Sequence, residues 1–192
     1  MYEFFGRTAH GACAHQGRSA LDAAIATETR FKGARLTGVY DRLRNDALSD
    51  VVRANLERFG APRATTADRE RSLRLGGSGD FDCRIHKDAT GRGRGSSDEA
   101  NVSWIAPLAV FNVVCYGKGT RGHHRDLANP AALPFALRGM IQAAKVFAGS
   151  AVDVCSQPAP IGKARAEFKR RTKGFHYDPL VSKNQKPPID PP

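Results

Sequence analysis

No stretch of this chain approaches the roughly 20 consecutive apolar residues that a membrane-spanning helix needs. The first ten residues, MYEFFGRTAH, also lack the basic start and long apolar core of a signal peptide. Both absences lead to the expectation of a cytoplasmic protein with no membrane partner. Cysteine is scarce and scattered. Cys13, Cys83, Cys115 and Cys155 form no C-x-x-C pair, which argues against a zinc knuckle and against a disulfide framework. Familiar catalytic signatures are missing as well: there is no H-E-x-x-H, no adjacent pair of glutamates and no G-x-S-x-G elbow to present a serine nucleophile. Aromatics are few, at 8%, and sit mainly in apolar runs. A protein that tracks phosphates would interleave them with its basic residues.

What the chain does have is positive charge. Its 192 residues carry 30 Lys or Arg against 19 Asp or Glu, a formal net charge of +11, and the pI is near 10.0. Most of the excess is arginine spread through loops, so the reading is a solvated basic surface rather than a nucleic-acid interface. The length allows one ordinary domain or two small ones.

Local signals place several elements. Tyr2 to Phe5 reads as a short strand, and Ser19 with Asp22 opens a brief helix carrying Leu21, Ala24 and Ile25. The piece TRFKGARLTGVYDRL alternates as one or two strands. Asn45 caps a helix with Leu48, Val51, Val52, Leu56 and Phe59 on one face, closed by Gly60 and Pro62. Thr65 to Asp68 starts a short charged helix, after which a Gly- and Arg-rich loop runs to residue 94. Residues 105–116, IAPLAVFNVVCY, have the length and branched composition of a buried strand. Pro134 opens a further helix whose expected buried face is Leu137, Met140, Ile141, Ala144 and Phe147, with Gly149 as the stop. A last helix begins near Pro160, turns Ile161, Ala164 and Phe168 inward, and ends in Lys169, Arg170, Arg171 and Lys173, cations that suit a helix C-terminus. The tail KPPIDPP is too rich in proline for helix or sheet.

Chemistry concentrates around the expected strand, where Gly95-Ser96-Ser97-Asp98 precedes it and Gly119-Thr120-Arg121-Gly122-His123-His124 follows it. Imidazole and carboxylate held on separate loops are the donors that zinc and manganese take, which pairs His123 with Asp98. His10, between small residues after a strand, is placed to donate a hydrogen bond to a developing oxyanion or to sit in a plain polar turn. His15, His86 and His176 read as surface residues.

Three blocks together resemble one family. GRTAHGACAHQGRSALDAA is similar to the opening of the lid, or dimerisation, domain of the dinuclear-metal amidohydrolases and peptidases that include aminoacylases and carboxypeptidase G. GVYDRLRNDALSDVVRANLERFGAPRATTAD, and GSSDEANVSWIAPL followed by GTRGHHRD, most resemble the branch typified by aminobenzoyl-glutamate hydrolase. ALRGMIQAAKVFAGSAVDV with its proline tail fits the same branch. The resemblance covers most of the chain outside roughly residues 69–91.

It implies metal-dependent hydrolysis of the amide bond of N-acyl amino acids such as aminobenzoyl-glutamate, with two divalent ions, Zn or Mn. By position, His10 would polarise the scissile carbonyl across a dimer and His123 would be a metal ligand. Asp98, with Ser97 and Asn101, would lie at the substrate or behind the metal, Asn101 standing where the family has an acid. The implied partner is a second copy or a related hydrolase chain. The part of the family's catalytic domain that carries its first H-x-D ligands and paired glutamates has no counterpart, and most of the lid is missing between Ala24 and Thr29. An internally deleted chain, inactive or nearly so alone, is therefore expected.

The expected fold class is α/β: a partial catalytic-domain sheet with packed helices, plus a remnant of an α+β lid. Residues 1–28 would be the lid remnant, 29–180 the C-terminal part of the catalytic domain with a loop at 69–94, and 181–192 the tail. The competing function is a non-catalytic assembly or binding subunit with nonspecific polyanion affinity.

Overall fold

The computed structural model describes residues 38–86, 97–120 and 127–179, with Val181 and Asn184. They divide into two compact units, the smaller holding residues 38–43, 97–106 and 172 onward, the larger the remainder. In chain order the helices are α1 (Asp46–Phe59), α2 (Thr66–Arg74), α3 (Glu99–Val102), α4 (Ala128–Ala131), α5 (Pro134–Ser156) and α6 (Pro158–Arg171). All but the single turn α3 belong to the larger unit.

Helix α1 is the hub of the larger unit. Asn45 opens it as expected, its side-chain oxygen accepting from the Leu48 N–H at 3.0 Å, and Gly60 closes it with φ of 73°. Helix ends leave backbone groups without partners, and here two other helices supply them. Glu167 of α6 accepts from the N–H groups of Asp46 and Ala47 at 2.9 Å each. At the far end, the Gln142 amide of α5 donates to the carbonyls of Phe59 and Gly60. Between these ties α5 passes very close to α1 at Gly149, where a Cβ would stand 2.4 Å from Asn55 Oδ1 and 2.6 Å from the Phe59 ring.

The short charged helix is also present as read. Thr65 and Asp68 form a reciprocal capping box at the start of α2, and Arg138 of α5 pairs with the buried Asp68. Beyond α2 the chain turns irregularly through residues 75–86. That stretch is tied down: Ser78 Oγ donates to the Lys118 carbonyl at 2.9 Å, the Lys118 N–H donates to the Asp80 carbonyl at 2.7 Å, and Phe81 stacks on Phe135 with centroids 4.2 Å apart.

The expected α/β class is overturned, because the described residues are helical and contain no strand or sheet. Residues 107–116 form neither helix nor strand, and none of their N–H groups donates to a described backbone carbonyl. A strand needs a neighbour to complete its ladder. This segment instead lies across α5, where a Cβ on Gly139 would come within 2.7 Å of the Val114 carbonyl and 2.8 Å of Cys115 Sγ. Residues 38–43, expected as strand, form no ladder either. The strand at Tyr2, the helix at Ser19, the whole lid remnant (1–28) and the proline tail KPPIDPP lie outside the described residues.

Two details of α5 differ from expectation for one reason. The helix runs through Gly149 to Ser156, and its expected inner face points outward. Leu137, Met140, Ile141, Phe147 and Val152 are 48%, 57%, 52%, 70% and 63% exposed. The packed side is the opposite one, with Phe135, Ala136, Gly139, Val146 and Ser150. Small residues there let α1 and residues 114–115 approach closely, and close approach outranks side-chain size in choosing the face. Helix α6 starts at Pro158, two residues before its expected start, and buries Ala164 together with Glu167, with Ile161 and Phe168 partly covered.

In the smaller unit an aromatic group gathers around Tyr40, whose ring lies 5.9 Å from Trp104, 5.8 Å from Phe175 and 5.5 Å from Tyr177. Trp104 and Phe175 are 4.2 Å apart.

Candidate functional site

Of the residues singled out by sequence, Ser97, Asp98 and Asn101 are described, whereas His10 and His123 lie outside the described residues. The three described ones sit on or beside α3, and most of their bonds are structural. Asn101 accepts from the Tyr40 N–H at 2.8 Å and donates to the Gly38 carbonyl at 3.4 Å. Ser97 hydrogen-bonds Glu99, which holds the Glu99 carboxyl below its usual range, and Arg42 pairs with the same carboxylate and adds to the effect. Ser103 accepts from the Leu43 N–H at 2.8 Å, and Trp104 Nε1 donates to the Asp41 carbonyl at 2.7 Å. Glu99, Asn101, Ser103 and Trp104 thus fasten residues 38–43 to α3 and the turn after it. Asp98 is the exception, since it is exposed and contributes no side-chain bond to the start of α3.

Among the described residues, no three His, Cys, Asp or Glu side chains converge as a metal site would require. The nearest polar grouping is exposed. Asp82 takes two bonds of 2.7 Å from Arg84 and lies 3.1 Å from His86 Nε2. The Arg84 bonds hold the Asp82 carboxyl well below its ordinary range. This trio borders an open depression of about 250 Å³ walled by residues 112–116. Its carboxylate is already matched by a guanidinium, leaving one acid and one imidazole, too few donors for a metal.

The most unusual surface of the larger unit is the outward face of α5. At 100° per residue, Leu137, Met140, Ile141, Ala144, Phe147, Ala148, Ala151, Val152 and Cys155 fall on one side. All nine are exposed, and no charged residue interrupts them. Ala144, Ala148 and Ala151 run along the middle, flanked by Met140 and Phe147 on one edge and Ile141 and Val152 on the other. The sequence carried the signal for this stripe, since its bulky half was the face expected to be buried. What it did not decide was that the opposite stripe, Phe135, Ala136, Gly139, Val146 and Ser150, packs instead.

Two polar ties went unread in the sequence. Glu167 binds the start of α1 from 120 positions away in the chain, and Gln142 binds its end. Burial pushes the Glu167 carboxyl up, but the Ala47 and Asp46 N–H groups and Arg171 bring it below its ordinary value.

Fold and surface together define a small helical unit with an open apolar helix face. No protein-family model, curated protein or solved structure matches the chain. The amidohydrolase resemblance therefore rests on the sequence blocks alone.

Proposed function

We propose that this chain is a non-catalytic assembly subunit that binds another protein chain through the outward face of α5. The supporting observation is the uninterrupted run of nine exposed apolar positions on a 23-residue helix. Scattered exposed apolar side chains are ordinary, but a contiguous uncharged stripe marks a contact surface. Covering the exposed parts of its five large side chains is worth on the order of 5 kcal/mol, with a similar amount from the partner. Set against an association cost of ~4–15 kcal/mol, this describes a reversible complex rather than an obligate one. The test is sedimentation velocity and fluorescence anisotropy of the full chain with a neutral helical peptide bearing a Leu/Ala stripe. Binding that disappears in Phe147→Glu supports the reading, and no binding at any attainable concentration refutes it. Phe147 is 70% exposed, so its replacement leaves the fold in place.

A second reading, metal-dependent hydrolysis of an N-acyl amino acid, is supported by the three sequence blocks and by the exposed carboxylate of Asp98. A metal would supply activation of water. The described residues offer no grouped ligand set for it.

A further inference from the structure

We propose that the occupant of the α5 face is an amphipathic helix of a different protein, with its apolar ridge bordered by carboxylates. This rests on the assembly reading and goes beyond it by fixing the chemistry of the partner.

Shape argues for a helix. The alanines at 144, 148 and 151 form a shallow floor, and the larger side chains of Met140, Phe147, Ile141 and Val152 form its two walls. A trough of this kind accepts the side-chain ridge of a second helix, because small residues on the floor allow the two axes to approach. The stripe runs about 27 Å from Leu137 to Cys155, and its small-residue floor about 17 Å from Ala144 to Cys155, three turns of a partner helix.

Charge argues for acid on the partner. Helices α5 and α6 pack on each other and contain only two acids, Asp153 and Glu167. Both are turned inward and engaged, Asp153 with Asn55 at 2.7 Å and Glu167 with the start of α1. Lys145 borders the trough, and α6 exposes Lys163, Arg165, Lys169 and Arg170. No exposed carboxylate on either helix offsets them. A second copy would set Lys145 beside the same face of another chain of net charge +11, and like charges oppose pairing. A partner with carboxylates along its borders turns the same charge into attraction.

The test uses the full chain and three labelled peptides of the same Leu/Ala stripe, one bordered by Glu, one by Lys and one neutral. Binding is followed by anisotropy in ~0.1 M and ~1 M NaCl, between which the screening length falls from about 10 Å to about 3 Å. Alkylation of Cys155, which is exposed on the stripe, is mapped in parallel as a local readout. The Glu-bordered peptide is expected to bind at least about tenfold more tightly at low salt, to lose that margin at high salt, and to protect Cys155. Ala148→Arg, which fills the floor, abolishes binding, and Lys145→Glu narrows the preference. Equal affinity for the two charged peptides, or preference for Lys, overturns the acidic partner while leaving assembly intact if the neutral peptide still binds. Failure of all three peptides refutes assembly itself. A Cys155 already shielded in the free monomer would mean that the chain covers its own trough, and shielding that grows with protein concentration would mean a second copy. Either result overturns the proposal.

Discussion

Replacing Glu167 by alanine is expected to lower the stability of the helical unit by about 2–3 kcal/mol. The carboxylate is 6% exposed and accepts two backbone N–H bonds of 2.9 Å at the start of α1. Hydrogen bonds to a charged group contribute ~1.5–3 kcal/mol each, and a negative charge at a helix N-terminus adds ~0.3–1 kcal/mol. Water reaching the half-buried Asp46 and Ala47 after the substitution recovers part of that sum. With a urea slope of ~1–3 kcal/mol per molar, the midpoint by far-UV circular dichroism should fall by about 1 M. Glu167→Gln should lose roughly half as much, because one amide oxygen still accepts while the NH2 group faces the other donor. The pH dependence has a definite sign. Because the folded carboxyl lies below its ordinary 4.5, its contribution is complete above the unfolded value and disappears as pH falls through the folded one. The gap between wild type and Glu167→Gln should therefore close under acid conditions, below 4.5. Unchanged midpoints at neutral pH, or a gap that persists undiminished in strong acid, would show that the tie is not the anchor of α1.

Gly149→Val should destabilise the same unit by about 1–3 kcal/mol, since even a Cβ would stand 2.4 Å from Asn55 Oδ1; an unchanged urea midpoint would contradict the close crossing of α1 and α5. Asn101→Ala should loosen residues 38–43, which it holds through Tyr40 and Gly38, seen as faster amide exchange at Tyr40 with helix content unchanged. Under the hydrolase reading, the purified chain holds stoichiometric Zn or Mn that is lost in His123→Ala; a chain free of metal after growth with both ions, and without amidase activity, removes that reading for the isolated chain.

What could be read from the sequence was what is decided locally. Asn45, Gly60, Thr65 with Asp68, and Pro134 mark helix ends through bonds or backbone angles within a few residues, and the structure places helix ends there. Residues 107–116 failed because β-branched composition specifies an extended chain, whereas a ladder depends on a partner elsewhere. The orientation of α5 failed because the helix is apolar on two sides, and the side that packs was chosen by Asn55, Phe59, Val114 and Cys115 lying against Gly149 and Gly139. Glu167 and Gln142 look like ordinary surface residues until α1 is set beside them. Of the candidate site, Asp98, Ser97 and Asn101 are placed, mostly in structural roles, and His10 and His123 fall outside the described residues.

The aromatic group around Tyr40 separates two optical signals. Trp104 is the only tryptophan in the chain and belongs to the smaller unit, while among the described residues nearly all the helix belongs to the larger one. Tryptophan emission therefore reports the melting of one unit and circular dichroism at the helix band that of the other. Coincident transitions in a single denaturant titration would mean that the units unfold as one cooperative block, and separated transitions would assign each its own stability, with no label and no mutation required.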